Sequence, residues 1–114
     1  MKIHITPFDL VEPITAVHVD HGRQELIAVF NSWAAVRAIR PSQERVVYSA
    51  DQKQLKALYK VWMDAGHPLE SDYLVKWQDR FFELASEPVK DATSPWLYFV
   101  MKEVTYDVAN FIET

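Results

Sequence analysis

The order His18-Val19-Asp20-His21, with His4 upstream on a candidate neighbouring strand, is the nearest approach to a metal motif in this chain. Imidazole and carboxylate both ligate zinc and other divalent ions. In a strand, alternate residues face opposite ways, so His18 and Asp20 would share a face from which His21 points away. The segment is therefore read as a hairpin end whose polar groups hydrogen-bond the turn, and no metal is assigned. His4, His18, Asp20 and His21 are retained as the ligand candidates of a third reading, a small metal-dependent enzyme.

Other catalytic chemistries find less support. Asp79 and Glu83 stand four apart, and Glu70 and Asp72 stand near a candidate helix start. Acid/base work would need two carboxylates in one cleft with separated pKa values. Arg80 adjoins the first pair and a helix dipole would favour the second, so both read as surface stabilisation. No Gly-x-Ser-x-Gly nucleophile elbow occurs, and Gly22 and Gly66 are the only glycines, too few for a phosphate-cradling loop. The two read as a turn and a helix stop. Cysteine is absent, which removes disulfides, a thiol nucleophile and thiolate metal sites. The expectation is a non-enzymatic protein without a cofactor.

Charge is unevenly distributed. Residues 1–63 carry eight Lys/Arg against six Asp/Glu, whereas residues 64–114 carry four against ten. The cations concentrate in Arg37, Arg40, Arg45, Lys53, Lys56 and Lys60, opposed there only by Glu44 and Asp51. Clustered cations can hold phosphates, and Tyr48 could add a stacking surface, so binding of nucleic acid through this basic patch is the second reading. The overall acidity and the lack of a groove-reading motif argue against it. The asymmetry can equally steer an acidic protein surface or another copy of the chain.

Aromatic residues give the leading reading. Fifteen occur in 114 positions, eleven of them after residue 56. Three helices account for most of these. Ser49-Ala50-Asp51-Gln52 matches a capping box, Leu55, Leu58, Tyr59 and Trp62 recur at helical spacing, and Gly66 with Pro68 supplies the stop. A second helix is expected from Ser71 or Asp72 to about Ser86, with Leu74, Trp77, Phe81 and Leu84 on its main stripe. A third starts at Ser94-Pro95 and carries Leu97, Met101, Val104, Val108 and Phe111. Val75, Phe82, Phe99 and Tyr106 fall off these stripes and are the candidate partner-binding residues, since aromatics with few rotors dominate interfaces.

The first half reads as short strands at Lys2 to Thr6 and Ile14 to Val19, a turn at Asp20 to Arg23, and then a strand at Glu25 to Phe30, a helix over Gln24 to Ile39, or a strand to Phe30 followed by a helix capped by Asn31. The helix alternative rests on Leu26, Phe30, Trp33 and Arg37 at helical spacing and on Ala34, Ala35 and Ala38. Arg45 to Ser49 suggests another strand. No repeat, linker or membrane-spanning run divides the chain, and residues 1–17 do not form a signal peptide, so a single cytoplasmic domain without membrane association is expected. The fold class is α+β, a small antiparallel N-terminal sheet on about three C-terminal helices, with an all-α bundle as the alternative. The expected function is that of a regulator, adaptor or inhibitor. It would mask another protein's surface and form a homodimer through its aromatic helices.

Overall fold

The computed structural model describes residues 5–39, 58–90, 92–104 and 110–113. A 3-10 turn at Pro7–Asp9 precedes eight strands: β1 (Glu12–Asp20), β2 (Glu25–Ile39), β3 (Leu58–Asp64), β4 (Leu74–Trp77), β5 (Arg80–Leu84), β6 (Val89–Lys90), β7 (Trp96–Glu103) and β8 (Ile112–Glu113). Six of them close into a barrel in the order β1-β4-β5-β7-β3-β2 and back to β1, every neighbouring pair antiparallel. The two short strands are additions. β6 pairs with the start of β7, and β8 runs parallel to the start of β2.

This overturns both the α+β arrangement and the all-α alternative. The 3-10 turn is the only helical element among the described residues. The cause lies in strands with apolar residues on both faces. Along β7, Leu97, Phe99 and Met101 point into the barrel while Trp96 and Tyr98 join a cluster outside it. On β3, Val61 and Met63 are interior, Tyr59 packs against the same core, and Trp62 belongs to the outer cluster. Two superposed period-2 patterns merge into a continuous apolar run, which periodicity alone does not separate from a helix.

The second expected helix is a hairpin. Val75 faces Phe82 across the β4–β5 ladder, and Trp77 faces Arg80 around the two-residue turn Gln78–Asp79. Both turn residues have positive φ, 54° and 60°, as does Gln24 at 53°. Neither glycine takes that conformation, so Gly66 is not the left-handed helix stop expected of it. Its amide instead donates to Asp64 Oδ1 at 2.8 Å, closing a short turn after β3.

Among the described residues of the first half, the strand reading holds for β1 and for the start of β2. β1 contains the expected strand, and β2 continues through Ile39 where the alternative had a helix. The alanines that favoured a helix are small for a packing reason. Ala34 is enclosed in the barrel core, and Ala35 lies in the outer cluster. Ala16 opposes Phe30 and Val17 opposes Ala28, so Val29 is the extra residue of a β-bulge that bends β2. The capping box at residues 49–52, the strand at 45–49 and most of the strand at 2–6 lie outside the described residues.

Antiparallel pairing fixes which connections share a barrel mouth. The 21–24 turn, the 65–73 crossing from β3 to β4 and the link from β5 to β7 meet at one mouth. The 3-10 turn, the Gln78–Asp79 turn and the two ends Ile39 and Leu58, which pair with each other, meet at the opposite one. At the first mouth Ala65 and Leu69 pack on the core and His67 stacks on Phe30 with centroids 4.6 Å apart.

Candidate functional site

The outer wall of a small barrel is polar unless something covers it, and here the chain covers it twice. Over β2, β3 and β7, Ile5 and Leu10 pack on Ala35, Trp62, Trp96 and Tyr98. The indole Nε1–H of Trp96 donates to the Ile5 carbonyl at 3.0 Å, and Arg37 pairs with Asp9 at 3.6 Å. Over β1 and β4, Val104 and Phe111 join Val17, Leu26, Leu74 and Phe81. This second cover is fastened by Lys76, whose ammonium donates to Glu113 Oε1 at 2.7 Å.

Between the two covers a strip of the β1–β2 wall is left open. Pro13 and Trp33 face each other across the ladder, as do Thr15 and Asn31. Trp33 is 60% exposed. With Ile14 and Ser32, these residues line a shallow depression of about 230 Å³. Its floor is organised, because the Thr15 hydroxyl donates to Asn31 Oδ1 at 2.7 Å and leaves the Asn31 amide hydrogens directed elsewhere. Val29 at the bulge, and Phe8 and Val11 on the N-terminal cover, are further exposed apolar side chains. The strip itself carries no charge; the Asp9–Arg37 and Lys76–Glu113 pairs belong to the two covers beside it.

An exposed indole beside a rigid amide–hydroxyl pair is suited to binding rather than to bond making. It offers large contact area with few rotors and a polar group to fix orientation. Sequence reasoning passed over Trp33 by assigning it to the stripe of a helix. In the strand that forms, the alternation that encloses Ala34 turns Trp33 outward.

The candidates from sequence are dispersed. Val75 and Phe82 have no exposed surface and Phe99 is 1% exposed, all three in the barrel core, so they present nothing to a partner. Tyr106 lies outside the described residues. His18 and His21 do not converge: the first meets the edge of Tyr73 at 6.1 Å and the second that of Phe111 at 6.2 Å. Asp20 Oδ1 accepts from the Arg23 amide at 3.1 Å, as a hairpin end requires. His4 is outside the described residues, among which no group of three metal-ligating side chains occurs.

Of the basic patch, Arg37 and Lys60 face each other on β2 and β3. Arg37 is held by Asp9, and the Lys60 ammonium lies 5.0 Å from the Tyr98 ring centroid and 5.4 Å from that of Trp62. Arg40, Arg45, Lys53 and Lys56 lie outside the described residues. Of the two carboxylate pairs, Asp79 and Glu83 are separated by their partners, while Glu70 and Asp72 line one open cleft. Asp79 sits in the β4–β5 turn, while Glu83 lies 3.6 Å from Lys102.

Among the described residues, Lys76 and Tyr73 titrate away from their ordinary range. The hydrogen bond to Glu113, helped by that carboxylate's charge and by Asp79 against a desolvation that acts the other way, raises Lys76. Partial burial, then the Glu70 and Asp72 charges and a hydrogen bond to Glu70, raise the Tyr73 hydroxyl. Neither shift creates an acid or base active near neutrality. No helix among the described residues is long and apolar enough to cross a membrane.

No protein-family model matches the chain, and no curated protein matches it. Among solved structures it is similar to the solution structure of protein SF1141 from Shigella flexneri 2a, with a TM-score of 0.59 and 17% identity over 90% of this chain and 100% of that one. At that identity the likeness shows a shared fold.

Proposed function

We propose that the chain is a non-enzymatic interaction module, a regulator or adaptor that masks part of another protein by seating it on the open β1–β2 strip. The observation that carries this reading is Trp33, exposed between two segments that each cover an apolar cluster on the outer wall. The occupant it fits is a protein surface with an apolar side chain for the depression between Trp33 and Pro13 and a backbone carbonyl for the Asn31 amide. Charge would govern approach more than strength, because the strip itself is uncharged. A cytoplasmic setting stays part of the proposal on the sequence argument alone.

Site-specific photo-crosslinking tests it. A photoreactive amino acid at position 33, in protein expressed in its native host, should give one discrete protein adduct, while the same group at exposed Ala92 should not. Equal, diffuse labelling from both positions would remove the strip as a docking surface.

A further inference from the structure

Five of the seven large hydrophobic side chains exposed among the described residues lie on the β1–β2 wall or on the covers that flank it. They are Val29 and Trp33 on the wall, Phe8 and Val11 on the N-terminal cover, and Ile112 on the C-terminal cover. Apolar side chains clustered in this way mark an interface. The charges beside them are ordered too. Arg37, on the same face of β2 as Trp33, pairs with Asp9; Lys76, which faces Thr15 across the β1–β4 ladder, pairs with Glu113. One member of each pair is the more exposed: Arg37 at 54% against Asp9 at 33%, and Glu113 at 54% against Lys76 at 33%. The N-terminal cover thus turns a cation outward, and the C-terminal cover an anion.

Such a surface is complementary to itself. Two copies can face each other across a two-fold axis that lies in the plane of contact and runs along the strip, between the covers. The N-terminal cover of each copy then meets the C-terminal cover of the other. Arg37 faces the other copy's Glu113, and Phe8 and Val11 face its Ile112, each contact being made twice. An axis running across the strip would instead set Arg37 on Arg37 and Glu113 on Glu113, and like charges oppose such a contact. Trp33 stands on the N-terminal side of the favoured axis, with Pro13 and Thr15 on the other side. Each indole therefore enters the depression of about 230 Å³ on the other copy.

We infer that the strip takes a second copy of this chain, two-fold related, with Trp33 of each copy in the other's depression and Arg37 of each against the other's Glu113. The inference rests on the proposed reading in one respect, that the strip docks protein. It adds a form of regulation to that reading. Another protein must displace the second copy to reach Trp33, so masking competes with self-association and weakens as the concentration of the chain rises. The homodimer expected from the sequence is then formed by a barrel wall instead of aromatic helices.

The test uses the full chain and three variants, Trp33→Ser, Arg37→Glu and Glu113→Arg. Mass in solution is measured against concentration for each and for an equimolar mixture of the two charge-reversed forms. The wild type should reach a dimer and dissociate on dilution, and Trp33→Ser should associate about thirtyfold more weakly or worse. Each charge-reversed form alone sets like charges in both contacts and should associate about tenfold more weakly or worse. Their mixture sets unlike charges in both contacts and should regain wild-type association. A cover merely loosened by substitution is not repaired by mixing, so the regain reports the contact itself. A monomeric wild type, a Trp33→Ser form that dimerises as the wild type does, or a mixture no stronger than its components would each overturn the inference, while the masking role stands on its own crosslink. If the dimer behaves as expected and crosslinking from position 33 in the native host returns only the chain's own copy, the inference holds and the masking role falls.

Discussion

At the scale of single residues, exposure divides the aromatics into two groups with opposite expected behaviour. Phe82 is fully enclosed, with Tyr59 and Trp77 ring centroids 5.6 and 5.7 Å away and the Arg80 guanidinium 5.3 Å from its ring. Phe82→Ala should cost about 3–5 kcal/mol in denaturant unfolding. Trp33→Ser should change stability by about 0.5 kcal/mol or less in the same measurement, since its ring supports little of the fold. Similar losses for both would mean that Trp33 is a structural residue. The sequence singled out Val75 and Phe82 for a sound reason, an apolar surface off the main stripe, but in the wrong geometry. Seven residues apart, they are cross-strand partners about the centre of a hairpin. Gln78–Asp79 lacks the Asn-Gly signature that would have disclosed the turn.

At the scale of elements, that same turn stores a correctable cost. Two non-glycine residues at positive φ are disfavoured, whereas Asn-Gly suits such a turn. Replacing Gln78–Asp79 by Asn-Gly should stabilise the protein by about 1 kcal/mol and raise Tm by roughly 4 °C. An unchanged or lower Tm would show that the original side chains make compensating contacts. The C-terminal cover is governed by Lys76 and Glu113. Because Lys76 is raised in the folded state, its contribution is fully present below the ordinary lysine value of 10.5 and is lost as pH rises through the raised one. Exchange of the Ile112 amide, which donates to the Gln24 carbonyl at 2.8 Å, should accelerate across that alkaline range more than base catalysis accounts for. Lys76→Met should remove the excess. Among the elements, β1 and the start of β2 were legible because β-branched residues lie between clear breakers. β3, β4, β5 and β7 were not, because burial on both faces erases the alternation that identifies a strand.

At the scale of the whole molecule, the uneven charge seen along the sequence becomes an uneven charge in space. The acidic second half supplies Asp64, Glu70, Asp72 and Glu87 to the mouth crossed by residues 65–73, beside Asp20 and Glu25. That much could be read early, since charges keep their sign whatever the fold. The barrel itself could not, because closure depends on β1–β4 and β3–β7 pairings between residues far apart in sequence, which no local pattern announces. Nor could the open strip, which exists only because the N- and C-terminal segments cover the wall on either side of it. The masking role therefore turns on whether Trp33 anchors a protein. With the crosslinked partner purified, the direct measurement is the Kd of its complex with the wild type and with Trp33→Ser. An anchor contributing about 2 kcal/mol or more predicts a Kd roughly thirtyfold weaker or beyond, with the protein still folded. Equal dissociation constants for the two proteins would contradict it.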